Sequence, residues 1–434
     1  VQTHFSDSQL SDPNIADAND ILRACVHCGF CTATCPTYVL TGDELDGPRG
    51  RIYLIKDMLE ADRPPTPTDV THIDRCLSCL ACMTTCPSGV HYMHLVDHAR
   101  SHIERHWVRP MRDRLLRSLL GRVLPKPAMA RRAMALAWLA VPIARLLPSS
   151  VRRTVGLAGR NTKKNPKVLT PMVHAAEGER RYRVILLSGC VQQALDGDIN
   201  AATIRLLTRH GCEVIVAEGA GCCGAINHHL GQDSAGRVLA RANILSWTQQ
   251  SGAVDAIIAN ASGCGTMVKD YGYLFRNDPE LAGPARKISE KTRDIAEFID
   301  EIGLTAPVIE TGQRVAYQSA CSMQHGQKVK AQPIALLRAA GFAVAEPRDT
   351  HLCCGSAGTY NILQGDMADE LGSRKASSLA ALAPDIVASG NIGCMTQLQD
   401  GLEMPILHTV ELLDWATGGP VPRGLAAARP EGRQ

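Results

Sequence analysis

The feature that most narrows what this chain can become is a cysteine pattern that occurs twice. Cys25, Cys28, Cys31 and Cys35-Pro36 follow the spacing C-x2-C-x2-C-x3-C-P, and Cys76, Cys79, Cys82 and Cys86-Pro87 repeat it with every member displaced by 51 positions. Three thiolates on one tight loop can hold three corners of a cubane. The fourth corner needs a thiolate arriving from outside that loop. Paired [4Fe–4S] clusters use this spacing, the fourth cysteine of each run ligating the other run's cluster. The crossed reading gives cluster I as Cys25, Cys28, Cys31 and Cys86, and cluster II as Cys76, Cys79, Cys82 and Cys35. Pro36 and Pro87 lack an N–H and turn the chain away from each site. One run could be a zinc knot; two in register make structural zinc the poorer explanation.

At 434 residues the chain has room for two or three domains, and an apolar content of 45% suffices for ordinary cores. Its 17 cysteines are too widely spaced for a small disulfide scaffold. Cysteines acting as ligands imply a reducing compartment, so a cytoplasmic location is expected. Residues Val1 to Asp12 carry no apolar signal-like run, and no stretch of eighteen apolar residues predicts a membrane span.

Residues 1–108 read as a small all-helical domain around the two runs. Helices are expected from about Asn14 to Arg23, from Ile52 onward, and from His91 to Arg105. Between the runs lies Gly47-Pro48-Arg49-Gly50-Arg51. Arg49 and Arg51 either offset the negative charge of a thiolate-ligated cluster or form a solvated basic turn. Residues 109–182 read as a basic helical linker. From 109 to 167, fifteen basic residues face one acid, Asp113, with Leu115, Leu116, Leu119, Leu120, Val123 and Leu124 interleaved. Such a segment can lie on an anionic membrane surface, here the inner face of the cell membrane. Alternatively it packs the two halves together or docks a partner subunit. Ala133–Leu147 is too short to span a bilayer, and 156–181 is expected to be an exposed linker.

From Arg183 the pattern changes to alternating strands and helices, and this unit repeats. Cys190, Cys222, Cys223 and Cys264 in the first unit correspond to Cys321, Cys353, Cys354 and Cys394 in the second, at offsets of 131, 131, 131 and 130. The expected boundaries are 183–283 and 313–420, joined through 284–312 by a helix from about Pro284 to Ile302. Each cysteine falls just after a strand, so each unit should gather four thiols at the carboxyl edge of a parallel sheet. Cys212 has Phe342 as its repeat counterpart and reads as a buried hydrophobe. His228, His229 and His325 read as surface histidines.

These residues resemble the iron–sulfur subunit family of glycolate oxidase. The likeness rests on the paired runs, on Gly42-Asp43-Glu44-Leu45-Asp46-Gly47-Pro48-Arg49-Gly50-Arg51-Ile52-Tyr53-Leu54-Ile55-Lys56, and on His351-Leu352-Cys353-Cys354-Gly355-Ser356-Ala357-Gly358-Thr359-Tyr360. It implies flavin-binding partner subunits that oxidise glycolate to glyoxylate. It also implies that this chain passes the electrons toward a quinone-type acceptor and is inactive toward glycolate alone. The same architecture serves lactate and glycerol 3-phosphate oxidation. The Cys-Cys-Gly units also look like the heterodisulfide reductase catalytic subunit, whose units end in C-x-x-C and use five cysteines for a non-cubane cluster. Here Met267 and Gln397 stand where the fifth thiol would be.

Three readings of the Cys-Cys-Gly units stay open. Each quartet binds zinc or a further iron–sulfur cluster; or the thiols are redox-active, as in a thiol/disulfide reductase; or the units are structural docking surfaces. Gly219, Gly221 and Gly224 match G-x-G-x-x-G, but the first two have Thr350 and Leu352 as counterparts, and Ile244 occupies the ribose-contact position. No FAD or NAD is therefore expected on this chain. The basic stretch has too few aromatics for a nucleic-acid surface.

Overall fold

The computed structural model describes residues 1–139 and 168–426. Within them a helical N-terminal block precedes two parallel-sheet α/β units. The block packs helices Pro13–Ala24, Pro48–Glu60, Pro67–Asp74 and Tyr92–His106 around Leu22, Ile55, Met58, Ile73, Leu95 and Ile103, all fully buried. Three of these helices begin with proline, where the missing N–H has no intrahelical partner to lose. In Pro48–Glu60 the buried Ile52, Ile55, Met58 and Leu59 recur on one face. Each such side chain contributes about 1.5–3 kcal/mol by leaving water. Gly50 is needed for contact, since a Cβ there would sit 2.2 Å from the Glu44 carbonyl oxygen.

The first sheet runs β1 (Met172–His174), β3 (Cys212–Val216), β2 (Tyr182–Leu186), β4 (Ala256–Ala259) and β5 (Thr292–Asp294) in spatial order. All pairs are parallel except β1 with β3. The second sheet orders β7 (Ala343–Ala345), β6 (Arg314–Gln318), β8 (Ile386–Ser389) and β9 (Ile406–His408), all parallel. Leaving out β1, the two units share one topology. One apolar core runs through both, from Val184, Leu186 and Val214 to Tyr317, Leu407 and Trp415. Across that seam Arg205 Nε donates to the buried Asp414 carboxylate at 2.9 Å, and Arg209 pairs with the same group.

Two expectations need correction. The segment expected to be an exposed linker, 156–181, contributes β1 to the first sheet, Val173 lying opposite Ile215; its residues 156–167 lie outside the described ones. The single helix expected over Pro284–Ile302 is two, Ala282–Lys291 and Ile295–Ile302, with β5 between them. The physical reason is Asp294, whose carboxylate accepts from Ala296 N at 2.9 Å and starts a new helix. The first sheet thus draws strands from outside 183–283. Cys212 lies wholly buried in the shared core, as does its counterpart Phe342.

Gly224 and Gly355, which close the two Cys-Cys-Gly turns, have φ of +90° and +85°. A Cβ at either would lie 2.5 Å from a carbonyl oxygen of the following long helix, at Gly236 and Ala368 respectively. Left-handed backbone and close approach both demand glycine. Gly224→Ala or Gly355→Ala is therefore expected to cost about 2–3 kcal/mol in urea unfolding. Gly263→Ala, at an ordinary φ with nothing within 4 Å of its Cβ, should change stability by less than about 0.5 kcal/mol.

Candidate metal centres

The N-terminal loops carry two small adjoining cavities. Cys25, Cys28, Cys31 and Cys86 line one, and Cys35, Cys76 and Cys79 line the other; Cys82 stands in the wall they share. The fold therefore brings the fourth cysteine of each run to the other run's three. Both loops use left-handed residues at equivalent places, His27 with Ser78 and Gly29 with Leu80. Cys28 is exposed, flanked by exposed Val26 and Phe30, whereas Cys35 and Cys76 are buried.

Burial governs the electrostatics. It pushes the Cys31 thiol up to about 11, and neighbouring cysteines add to the effect. Cys79 and Cys82 are raised well above the ordinary thiol value, first by burial and then by surrounding cysteines. Thiols held protonated this way ionise when a cation joins them. The donor set fits a metal cluster. Ser78 N donates to Cys76 Sγ at 3.4 Å, Val90 N to Cys86 Sγ at 3.5 Å, and Arg51 Nη1 to Cys35 Sγ at 3.8 Å. Arg51 is only 1% exposed. It also donates to Thr37 Oγ1 at 3.0 Å and to the His72 carbonyl at 2.7 Å, and it lies 3.6 Å from Asp46. Of the two arginines, Arg51 is the buried counter-charge, while Arg49 pairs with Glu44 near the surface.

The carboxyl ends of the parallel strands gather the other eight cysteines into two quartets. In the first, Cys222 accepts from Cys190 and Cys223, which lowers it well below the ordinary value. Its partners Cys190 and Cys223 are raised, and Cys264 adjoins Cys223. The second quartet repeats this in detail. Cys353 is lowered by Cys321 and Cys354, both of which are raised, and Cys394 adjoins Cys354. Four converging thiols, all buried but Cys264, suit a divalent ion or a cluster by donor chemistry.

Sequence reasoning missed the supports of these turns. Asn243 accepts from Gly221 N at 2.8 Å and donates to the Cys222 carbonyl at 3.0 Å, while Tyr271 Oη donates to the Cys223 carbonyl at 2.8 Å. Lys375 holds the matching place in the second unit, buried, donating to the Asp349 carbonyl and lowering Cys353. The available signal was a polar residue on the buried face of each long helix.

Of the histidines expected at the surface, His325 and His228 are largely buried, while the His229 side chain keeps 37% exposure. His325 is buried, with Nδ1 2.7 Å from Thr84 Oγ1, and joins the second unit to the second cysteine run. His228 lies between Asp97 at 3.4 Å and Asp233 at 3.2 Å. Burial alone would lower it, but the two carboxylates raise it to about 10. His229 Nδ1 lies 3.4 Å from the same Asp97. Asp233 is close in sequence, but Asp97, the partner they share, comes from the helical block.

One further contact organises the whole. Cys353 is among the neighbours that raise Cys79, and Cys79 packs against the buried cluster that includes Leu77, Cys321, Cys353 and Tyr360. The second cysteine run thus packs directly on the second quartet.

Residues 24–90 match the 4Fe-4S dicluster domain, and residues 184–269 and 315–399 match the cysteine-rich domain. The chain is 41% identical over 418 residues to the glycolate oxidase iron–sulfur subunit of Escherichia coli, covering 96% of this chain and 99% of that one. It is 30% identical over 427 residues to a probable glycolate oxidase iron–sulfur subunit of Bacillus subtilis, covering 93% and 95%. Lactate utilization protein A of Bacillus licheniformis is 25% identical over 239 residues, 54% of this chain and 99% of the relative.

Replacing Arg51 with glutamine strips a buried charge from Asp46 and from Cys35. A loss of about 3 kcal/mol in urea unfolding is expected, together with reduced iron retention. Arg49→Gln, at the surface, should stay within about 0.5 kcal/mol with iron unchanged.

Proposed function

The chain belongs to the family of glycolate oxidase iron–sulfur subunits, and on that premise we propose that it takes electrons from a flavin-bearing partner oxidising glycolate to glyoxylate and delivers them to a quinone-type acceptor. The observation that carries this reading is the crossed gathering of the two cysteine runs beside the second quartet. In it, Cys25, Cys28, Cys31 and Cys86 hold one [4Fe–4S] cluster, and Cys76, Cys79, Cys82 and Cys35 hold the other. When bound, such clusters supply one-electron transfer, which divides the electron pair arriving from a reduced flavin.

The chain's own residues set direction and insulation. The exposed Cys28 loop, with Val26 at 67% and Phe30 at 63% exposure, offers an apolar face for the flavin subunit. Arg51 offsets charge at Cys35. The Cys79–Cys353 contact leads inward to the Cys-Cys-Gly quartets, which in this reading bind zinc or further clusters.

Glycolate added to the anaerobically purified complex should bleach the cluster absorption, while the isolated chain should neither bleach nor turn over glycolate with a dye. Roughly eight irons and eight sulfides per chain would limit the clusters to two, and a higher count would place clusters in the quartets as well. Turnover by the isolated chain would sink the proposal.

The reading includes contact with a membrane surface through 109–167, of which the described residues 109–139 are considered. No described helix is long and apolar enough to cross a membrane. Helices Met111–Val123 and Pro127–Leu139 expose Met111, Leu115, Leu119, Leu136 and Trp138 beside exposed Arg112, Arg114, Arg131 and Arg132. Apolar and basic side chains together suit an anionic lipid surface. Co-sedimentation with vesicles containing anionic lipid is expected at low salt, weakened by Leu115→Glu and absent with neutral vesicles. Equal binding of wild type and Leu115→Glu would exclude this face.

A further inference from the structure

A polar cleft of about 680 Å³ lies between helices Pro13–Ala24, Tyr92–His106 and Met111–Val123 on one side and the first α/β unit on the other. Among the described residues no cysteine lines it, so it is separate from all four cysteine sets. Its acidic side chains are all engaged. Asp97 lies 3.4 Å from His228, Asp233 2.8 Å from Arg237, Glu104 3.1 Å from Arg109, and Asp270 2.9 Å from His94. Asp97 and Asp233 together keep His228 a cation against the pull of burial. Arg276, also on the lining, pairs with Asp17.

Three lining arginines remain, Arg105, Arg114 and Arg122, and no carboxylate among the described residues pairs with them. Arg105 Nε donates to the Ser101 carbonyl at 3.2 Å, which leaves its terminal nitrogens for another acceptor. The surplus charge is felt inside the cleft. Burial lowers the lining His98 to about 4, and Arg105, His102 and Arg276 push it the same way. The lining therefore lacks an anion. It is a poor seat for a nucleobase, because Tyr273 and His94 have no ring face left for stacking. Tyr273 lies against His94 at 3.4 Å and under Arg276 at 3.8 Å, and His94 carries His91 on its other face at 3.9 Å.

Helix Met111–Val123 relates this cleft to its surroundings. Arg114, Ser118 and Arg122 recur every four residues as one stripe and line the cleft. Met111, Leu115 and Leu119 form the neighbouring stripe and are 75%, 69% and 56% exposed. One helix thus sets unpaired guanidinium groups in a concave site directly beside an exposed apolar strip. A phospholipid has its parts in the same order, a phosphate next to acyl chains, and basic pockets beside a membrane face suit such headgroups. Guanidinium groups also match phosphate oxygens with paired N–H donors.

We propose that this cleft binds the phosphate of an anionic glycerophospholipid headgroup through Arg105, Arg114 and Arg122, with the Ser118 hydroxyl as a further donor, while Leu115 and Leu119 enter the acyl layer. The lipid source rests on the membrane reading above; the phosphate site does not, since a free phosphate ester meets the same three arginines.

The test uses the full chain, purified anaerobically with its clusters. It is titrated calorimetrically with inorganic phosphate and with dihexanoyl phosphatidylglycerol kept below its micelle concentration. Both probes should bind, the lipid more tightly. Arg114→Gln and Arg122→Gln should each weaken lipid binding about tenfold, which is 1.4 kcal/mol. Because each removes an unpaired charge from among like charges, the urea midpoint should be unchanged or raised. Arg348→Gln makes the same change of charge at an exposed arginine of the second α/β unit, and it should bind within about twofold of wild type. Failure of both probes to bind, or an equal effect of Arg348→Gln, would overturn the site. Arginine-dependent binding of inorganic phosphate with no binding of the lipid would overturn the lipid source and leave a site for a soluble phosphate ester. Wild-type lipid affinity in Arg114→Gln and Arg122→Gln, with vesicle binding still weakened by Leu115→Glu, would overturn the cleft and leave the membrane reading standing.

Discussion

Negative charge without water is the constraint on which this structure depends. Sixteen of the 17 cysteines are brought into sets, Cys212 being the exception, and most of those thiols are shielded from solvent. A thiolate in such a place is costly unless a cation or hydrogen-bond donors face it. Every support around the sets can be read as an answer to that cost. Arg51 faces Cys35, backbone N–H groups face Cys76 and Cys86, and Lys375 acts on Cys353. The left-handed turns are part of the same answer, because they aim successive N–H groups inward. Leu80 is instructive here. It stands at the repeat position of Gly29 with φ of +64°, a strained choice for leucine, and it is held by burial at 3% exposure. The strain is tolerated because its side chain also seals the loop against the second unit, within reach of Gly326.

The parts of the architecture most legible in the sequence were those written as repeats. The displacement of 51 between the runs and of about 131 between the units identified both kinds of cysteine set. It also told Cys212 apart from the quartet cysteines through its counterpart Phe342. Strands β2, β3, β4, β6 and β8 were readable because they are buried and appear as short apolar runs, whereas β1, β5 and β9 were not read. What escaped was set by contacts between segments far apart in the chain. His228 acquires its character from Asp97, which lies 131 positions earlier in another block, and His325 from Thr84. A histidine gives no local signal of its partner. The break at Thr292–Asp294 escaped for a different reason. The apolar spacing on either side of it continues in helical phase, so only the capping chemistry of Asp294 marks the boundary.

The two α/β units are alike in topology and unlike in surroundings, and the difference is informative. Both quartets show the same pattern of one lowered thiol flanked by raised ones. The first quartet is braced by neutral groups, Asn243 and Tyr271. The second has the cation of Lys375 at the place of Asn243, and it touches the second cysteine run through Cys79. The repeated topology thus gives two like scaffolds whose side chains make their electrostatics unequal.

A positive charge beside a redox or metal centre favours its more negative state, whatever the centre is. At the outer end, the Cys28 loop is open to solvent and to a partner. Further in, Arg51 lies buried against Cys35. Lys375, 3% exposed, is buried to a similar degree next to the second quartet. Both charges are held away from water, so each acts strongly on its neighbouring thiolates. In the proposed reading, electrons entering at the exposed loop meet these two compensated sets on the way to the junction between the two sheets. The fold places the apolar basic helices over that same junction.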